Sequence, residues 1–124
     1  MKTSTSFVIC FMLLQSLLPT KAYMQTISCS DLVNAVEAEA SYYDQVTSIS
    51  LLTSEFLEEV KAYQYEDILF VIAKFKREPG EIFSKKYIFC GVPTSNWRSF
   101  KYGIGDSYGK RFHQYIMDHV CNCY

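Results

Sequence analysis

A chain of 124 residues with a formal charge of −1 at pH 7 has room for one small domain. That charge is too slight to imply a particular partner. The chain carries no phosphate-cradling Walker loop, dinucleotide fingerprint, His-Glu-x-x-His zinc motif or paired-carboxylate signature, which sets aside the enzyme classes that depend on them.

Lys2, the apolar run Phe7 to Leu14 continued by Leu17-Leu18, and the ending Pro19-Thr20-Lys21-Ala22 have the form of a secretory signal over residues 1–22. The run is too short and wrongly flanked for a membrane span, and Cys10 lacks the small residues a lipoprotein cleavage site needs. A secreted or periplasmic protein is expected. Removing this segment takes Lys2 and Lys21 with it and leaves ten bases against 13 acids, a net −3. The remaining charge is uneven. Between Tyr23 and Ala73 Lys61 stands alone against nine acids, whereas Lys74 to Arg111 holds nine bases against Glu78, Glu81 and Asp106. This reads either as two halves that attract each other within one fold or as a basic patch for an anionic ligand.

Residues 23–59 read as a helical extension of the domain. Ser30 can cap a helix with Asp31 in its first turn, and Leu32, Val33, Val36 and Ala40 recur at helical spacing. From Ser41 to Ser50 that period is lost, and Tyr42, Tyr43, Val46, Thr47 and Ile49 favour strand or ordered loop. Thr53 or Ser54 can cap a short turn through Leu57.

Residues 60–124 read as the domain proper. Val60 to Tyr65 alternates as a strand should, and Ile68 to Ala73 is continuously apolar, as a strand covered on both faces would be. After the turn Arg77-Glu78-Pro79-Gly80, a third strand runs from Ile82 to Cys90. Gly91-Val92-Pro93 ends it and opens a helix capped by Thr94 or Ser95, with Trp97 and Phe100 on one face. Gly103-Ile104-Gly105 breaks that helix, and Ser107 caps a last one. Its apolar stripe is Tyr108, Phe112, Tyr115, Ile116, His119 and Val120. The fold class expected is α+β: one small domain, an antiparallel meander of three or four strands, an N-terminal helix and two C-terminal helices, with the helices on one side of the sheet.

Cys29, Cys90, Cys121 and Cys123 remain after export, an even number that points to disulfides. Cys121 and Cys123 are poorly placed to bond each other, so Cys29 and Cys90 each take one tail cysteine, in either of two pairings. The alternative is a zinc ion among Cys90, His119, Cys121 and Cys123, although their spacing matches no standard knuckle.

The stretch from Tyr63 onward resembles the KTSC domain, a short module named for its occurrence after lysyl-tRNA synthetases, here in a small exported bacterial form. The resemblance rests on Tyr87-Ile88-Phe89, Gly91-Val92-Pro93, the helix Trp97 to Phe100, and Ser107-x-Gly109-x-x-Phe112. Phe89 stands where the family often has Tyr, and His113 where it often has Asn. The resemblance implies no established activity; RNA binding has been suggested for the family from the company it keeps.

Candidate site residues follow from chemistry. Ser107 and Gly109 open a helix whose N–H groups suit an anion, with Lys110, Arg111 and His113 alongside. The competing reading of Gly109 is a close helix approach that only glycine permits. Tyr87 and Trp97 are aromatic surfaces on which a base or sugar could stack, or half-buried packing. His113 with His119, or Cys90 with His113, would have to supply acid–base or nucleophilic chemistry, yet the two histidines fall on opposed helix faces and an oxidised Cys90 is no nucleophile. The reading that results is a non-catalytic exported module binding a protein or an anionic ligand, with no cofactor. An RNA-binding module and a small secreted hydrolase are the alternatives.

Overall fold

The computed structural model describes residues 27–124; the export signal expected over residues 1–22 lies outside them. Helix α1 (Cys29–Glu39) leads into strands β1 (Ser41–Val46), β2 (Leu57–Tyr65), β3 (Ile68–Phe75) and β4 (Lys85–Phe89). Helices α2 (Thr94–Tyr102) and α3 (Tyr108–Tyr115) follow, then a single 3-10 turn, Met117–His119. The strands form one antiparallel sheet in the order β1-β2-β3-β4, so the α+β architecture expected from the sequence is the one observed. The boundary drawn at residue 60 falls inside β2, and the stretch read as a helical extension also supplies β1 to the same sheet.

Local chemistry explains most element ends. Ser28, rather than Ser30, caps α1: its Oγ accepts the Asp31 N–H at 3.0 Å, and Asp31 then lies favourably in the first turn. Ser54 Oγ accepts the Leu57 N–H at 3.0 Å and starts β2. Strand β4 begins at Lys85, three residues later than its alternation suggests. Gly80, at φ 92°, and the Glu81 N–H to Glu78 carbonyl bond close a turn, and β3 ends at Phe75 opposite Lys85. Ile82 and Phe83 therefore have no strand to face. Pro93 occupies the cap position of α2, where Thr94 or Ser95 was expected, and Gly91 at φ 65° makes the bend before it. Ser107 caps α3 as expected, accepting the Lys110 N–H at 3.2 Å. That helix stops at Tyr115, so its buried stripe ends with Ile116, while His119 belongs to the 3-10 turn and Val120 is half exposed.

The helices cover both faces of the sheet, not one. Along β3, Leu69, Val71 and Ala73 point to one side, where Val60, Ala62, Phe89, Trp97, Phe100, Phe112 and Ile116 complete the larger core. Ile72 and Phe70 point to the other side, where Ile88 and Tyr63 meet Val33 and Val36 of α1. The unbroken apolar run of β3 is what a strand with two covered faces requires. The charge halves meet as well: Lys86 pairs with Glu37, Lys101 with Asp44 and Lys74 with Glu58.

The C-terminal tail closes one sheet edge. The Cys90 N–H donates to the His119 carbonyl at 2.7 Å, Phe89 and Val120 form an antiparallel bridge, and the Ile88 N–H donates to Tyr124 Oη at 2.8 Å. Two disulfides hold it there, Cys29–Cys123 and Cys90–Cys121, which selects one of the two pairings left open by the sequence. An outward row of unpaired N–H and C=O groups on β4 is thereby covered.

Candidate functional site

The meander places the β1–β2 and β3–β4 connections at the same end of the sheet. Lys76 ties them together, its Nζ donating to the carbonyls of Leu52 and Ser54. The α2–α3 connection arrives at this end too, because Gly109 lies against the Phe56 ring, where a Cβ would sit 3.0 Å from Cε1. Glycine at 109 thus serves a close approach, made by the ring of Phe56 rather than by another helix.

Between the 50–56 turn and the start of α3 lies an open hollow of about 660 Å³. It brings together five residues singled out in the sequence, Ser107, Gly109, Lys110, Arg111 and His113, and sets them against Thr53, Glu55, Phe56 and Asp106, which sequence reasoning missed. Their states differ. Arg111 is buried; its Nε donates to the Phe100 carbonyl at 2.8 Å, an Nη1 N–H to the Asp106 carbonyl, and its guanidinium stacks 4.4 Å from the centroid of the Tyr108 ring. It works as a clasp across the α2–α3 connection rather than as a free cation. Its path requires Gly103, where a Cβ would lie 2.3 Å from Arg111 Cδ. Ser107 is occupied as a cap, and His113 lies 5.5 Å from the centroid of the Phe56 ring. Lys110 is exposed, and among the described residues it forms no ion pair.

Tyr87 and Trp97 lie elsewhere. Tyr87 packs on Phe75 at 4.6 Å between centroids and near Tyr124. Trp97 is 1% exposed, so no ligand can stack on it. Its Nε1 donates to Asp44 Oδ2 at 2.8 Å, and Lys101 Nζ reaches Asp44 Oδ1 at 2.6 Å. Asp44 follows the irregularity at Tyr43 that interrupts the β1–β2 register, and from there it pins α2 to the sheet.

Burial alone would raise the Asp44 carboxyl, but the hydrogen bonds from Lys101, Trp97 and the Gln45 N–H outweigh it and hold the group below its usual range. A depressed pKa contributes stability that is full above the ordinary carboxylate range and is lost as pH falls through the lowered value. Asp44→Asn is therefore expected to cost roughly 1–2 kcal/mol near neutrality, a hydrogen bond to a charged group discounted for partial exposure. Its advantage over the variant should shrink on acidification, read as converging unfolding midpoints from pH 6 to pH 3.

The alternatives that need a free cysteine lose it. Cys90 is bonded to Cys121, so it is neither a nucleophile nor a metal ligand, and the same holds for Cys121 and Cys123. His119 stands beside Asn96, Nε2 to Nδ2 at 3.4 Å, while His113 faces the hollow. Among the described residues no group of three or more His, Cys, Asp or Glu side chains is placed to hold a metal ion.

The same end carries apolar side chains in water. Ile49 is 78% exposed, Leu52 71%, Ile82 75%, Phe83 80% and Ile104 96%, all on the three connections. Sequence periodicity hid three of them: Ile82 and Phe83 read as strand, and Ile49 as strand or ordered loop. Ile104, between two glycines, was the one readable signal, an apolar residue inside a helix break. Two disulfides fit a setting outside the reducing cytoplasm, and among the described residues no helix is long and apolar enough to cross a membrane. Comparison with protein-family models, with curated proteins and with solved structures found no match.

Proposed function

We propose that this protein is a non-catalytic binding module, exported by cleavage of residues 1–22, of the KTSC kind, and that it engages a protein partner through the loop end of its sheet. The observation that carries the reading is the gathering of Ile49, Leu52, Ile82, Phe83 and Ile104, each at least 71% exposed, on three connections at one end. Single exposed apolar residues are ordinary; several large ones sharing one end of a small domain mark an interaction face. The hollow beside them adds Glu55, Asp106 and Lys110, a polar set next to an apolar one, as protein interfaces combine them. The module acts in the periplasm or outside the cell, where its crosslinks persist.

The test uses the full chain expressed in its own host, with crosslinking in the extracytoplasmic compartment. Leu52→Asp combined with Ile104→Asp is expected to abolish capture of the partner that the wild type crosslinks. Ile68→Asp, 45% exposed beside the β2–β3 turn at the opposite end, is expected to retain it. Capture that survives the first variant and fails with the second would place the interface elsewhere and overturn this reading.

A further inference from the structure

The two bridges hold the tail in different ways. Residues 119–121 lie in the backbone ladder: the Cys90 N–H donates to the His119 carbonyl at 2.7 Å, and the Cys121 N–H to the Ile88 carbonyl at 3.4 Å. Cys121 is 4% exposed, packed with Val33, Val36, Ile72 and Ile88. Beyond it, residues 122–124 are held by the Cys29–Cys123 bond, by packing of Cys123 against the same apolar cluster, by the Tyr124 hydroxyl accepting the Ile88 N–H at 2.8 Å, and by the Tyr124 ring near Tyr87. Cys123 lies beyond the ladder and is half buried, as are Cys29 and Cys90. Neither sulfur of the Cys29–Cys123 bond belongs to a fully enclosed residue, whereas the inner bond has Cys121 enclosed and held in the ladder, with Cys90 half buried. Access of this kind governs the rate of thiol–disulfide exchange.

We propose that Cys29–Cys123 is this protein's site of thiol–disulfide exchange, and that its reduction by an extracytoplasmic dithiol unlatches residues 122–124 from β4 while Cys90–Cys121 keeps the domain together. The attacking thiolate bonds to Cys123 Sγ, and the Cys29–Cys123 bond breaks with its electron pair moving to Cys29 Sγ, which takes up a proton. The second thiol of the reductant then displaces Cys123, which leaves as a thiol, and the reductant departs as a disulfide. Two electrons pass to the protein. The Ile88 N–H, on the outer edge of β4, loses its acceptor and becomes open to strand addition.

Stepwise reduction of the mature protein with dithiothreitol, quenched by alkylation and mapped by mass spectrometry, is expected to label Cys29 and Cys123 before Cys90 and Cys121. In the Cys29→Ser/Cys123→Ser variant, which keeps the inner bridge, the Ile88 amide is expected to exchange with deuterium about ten-fold faster or more, with the Cys90 amide unchanged. Labelling of Cys90 and Cys121 first, or of all four together, would overturn the proposal. Unchanged protection at Ile88, or loss of the whole fold in the variant, would overturn it equally.

Discussion

Phe112→Ala is expected to cost about 3–5 kcal/mol, the range for truncating a fully enclosed phenylalanine. Phe112 is 0% exposed and sits among four other rings. Phe89, Phe100, Phe56 and Phe75 lie 5.3, 5.7, 6.0 and 6.2 Å away between centroids, all edge-on. Those rings come from β3, β4, α2 and the β1–β2 connection, so the cavity left by alanine has walls on four separate elements and cannot collapse by a single shift. The edge-on contacts add to the transfer term, each worth roughly 0.5–1.5 kcal/mol. In urea the midpoint should fall sharply with an unchanged slope. For a domain of this size the melting temperature should drop by about 12–40 °C. Phe83→Ala, at 80% exposed, is the contrast: its stability should stay within roughly 0.5 kcal/mol of wild type. Equal losses from the two variants would show that the aromatic cluster is not the centre of the core.

Removing the inner crosslink is a second large effect, of the same order as the chain-entropy cost of losing the longer Cys29–Cys123 loop of sequence separation 94. Cys90→Ala/Cys121→Ala releases a loop of sequence separation 31, for which chain entropy predicts about 3–4 kcal/mol. Alanine avoids placing a hydroxyl where Cys121 is 4% exposed, so the measured loss reports the crosslink and a small packing defect rather than a buried polar group. The unfolded variant is a more expanded chain than the wild type, because one constraint on it is gone. The expected result is therefore a lower midpoint together with a steeper denaturant dependence, which distinguishes this variant from Phe112→Ala. An unchanged midpoint would mean that the ladder holds the tail without the bond.

Much of this fold could be read from residue order, and the failures have identifiable causes. The motif Ser107-x-Gly109-x-x-Phe112 is legible as packing: a cap, a glycine beneath Phe56 and the hub of the core. The continuous apolar run of β3 announced two covered faces, yet the helices were assigned to one, because periodicity does not say which face a distant helix will choose. The late start of β4 was illegible because Ile82-Phe83 alternates like a strand; only the turn at Gly80 and the end of β3 at Phe75 remove its partner. Cysteine count gave oxidation but not connectivity, which depends on where the tail runs. In the sequence Trp97 and Arg111 are candidates for ligand contact with packing as the competing reading, and burial decides for packing. The bond between Trp97 and Asp44 spans 53 positions and leaves no local signal.

An oxidised tail seals β4 beside a free loop end. Non-reducing proteolysis of the mature protein, with the linked peptides sequenced by mass spectrometry and free thiols titrated in denaturant, tests this most directly. Two linked pairs, Cys29 with Cys123 and Cys90 with Cys121, and no titratable thiol are predicted. Four free thiols, or Cys29 joined to Cys121, would contradict it.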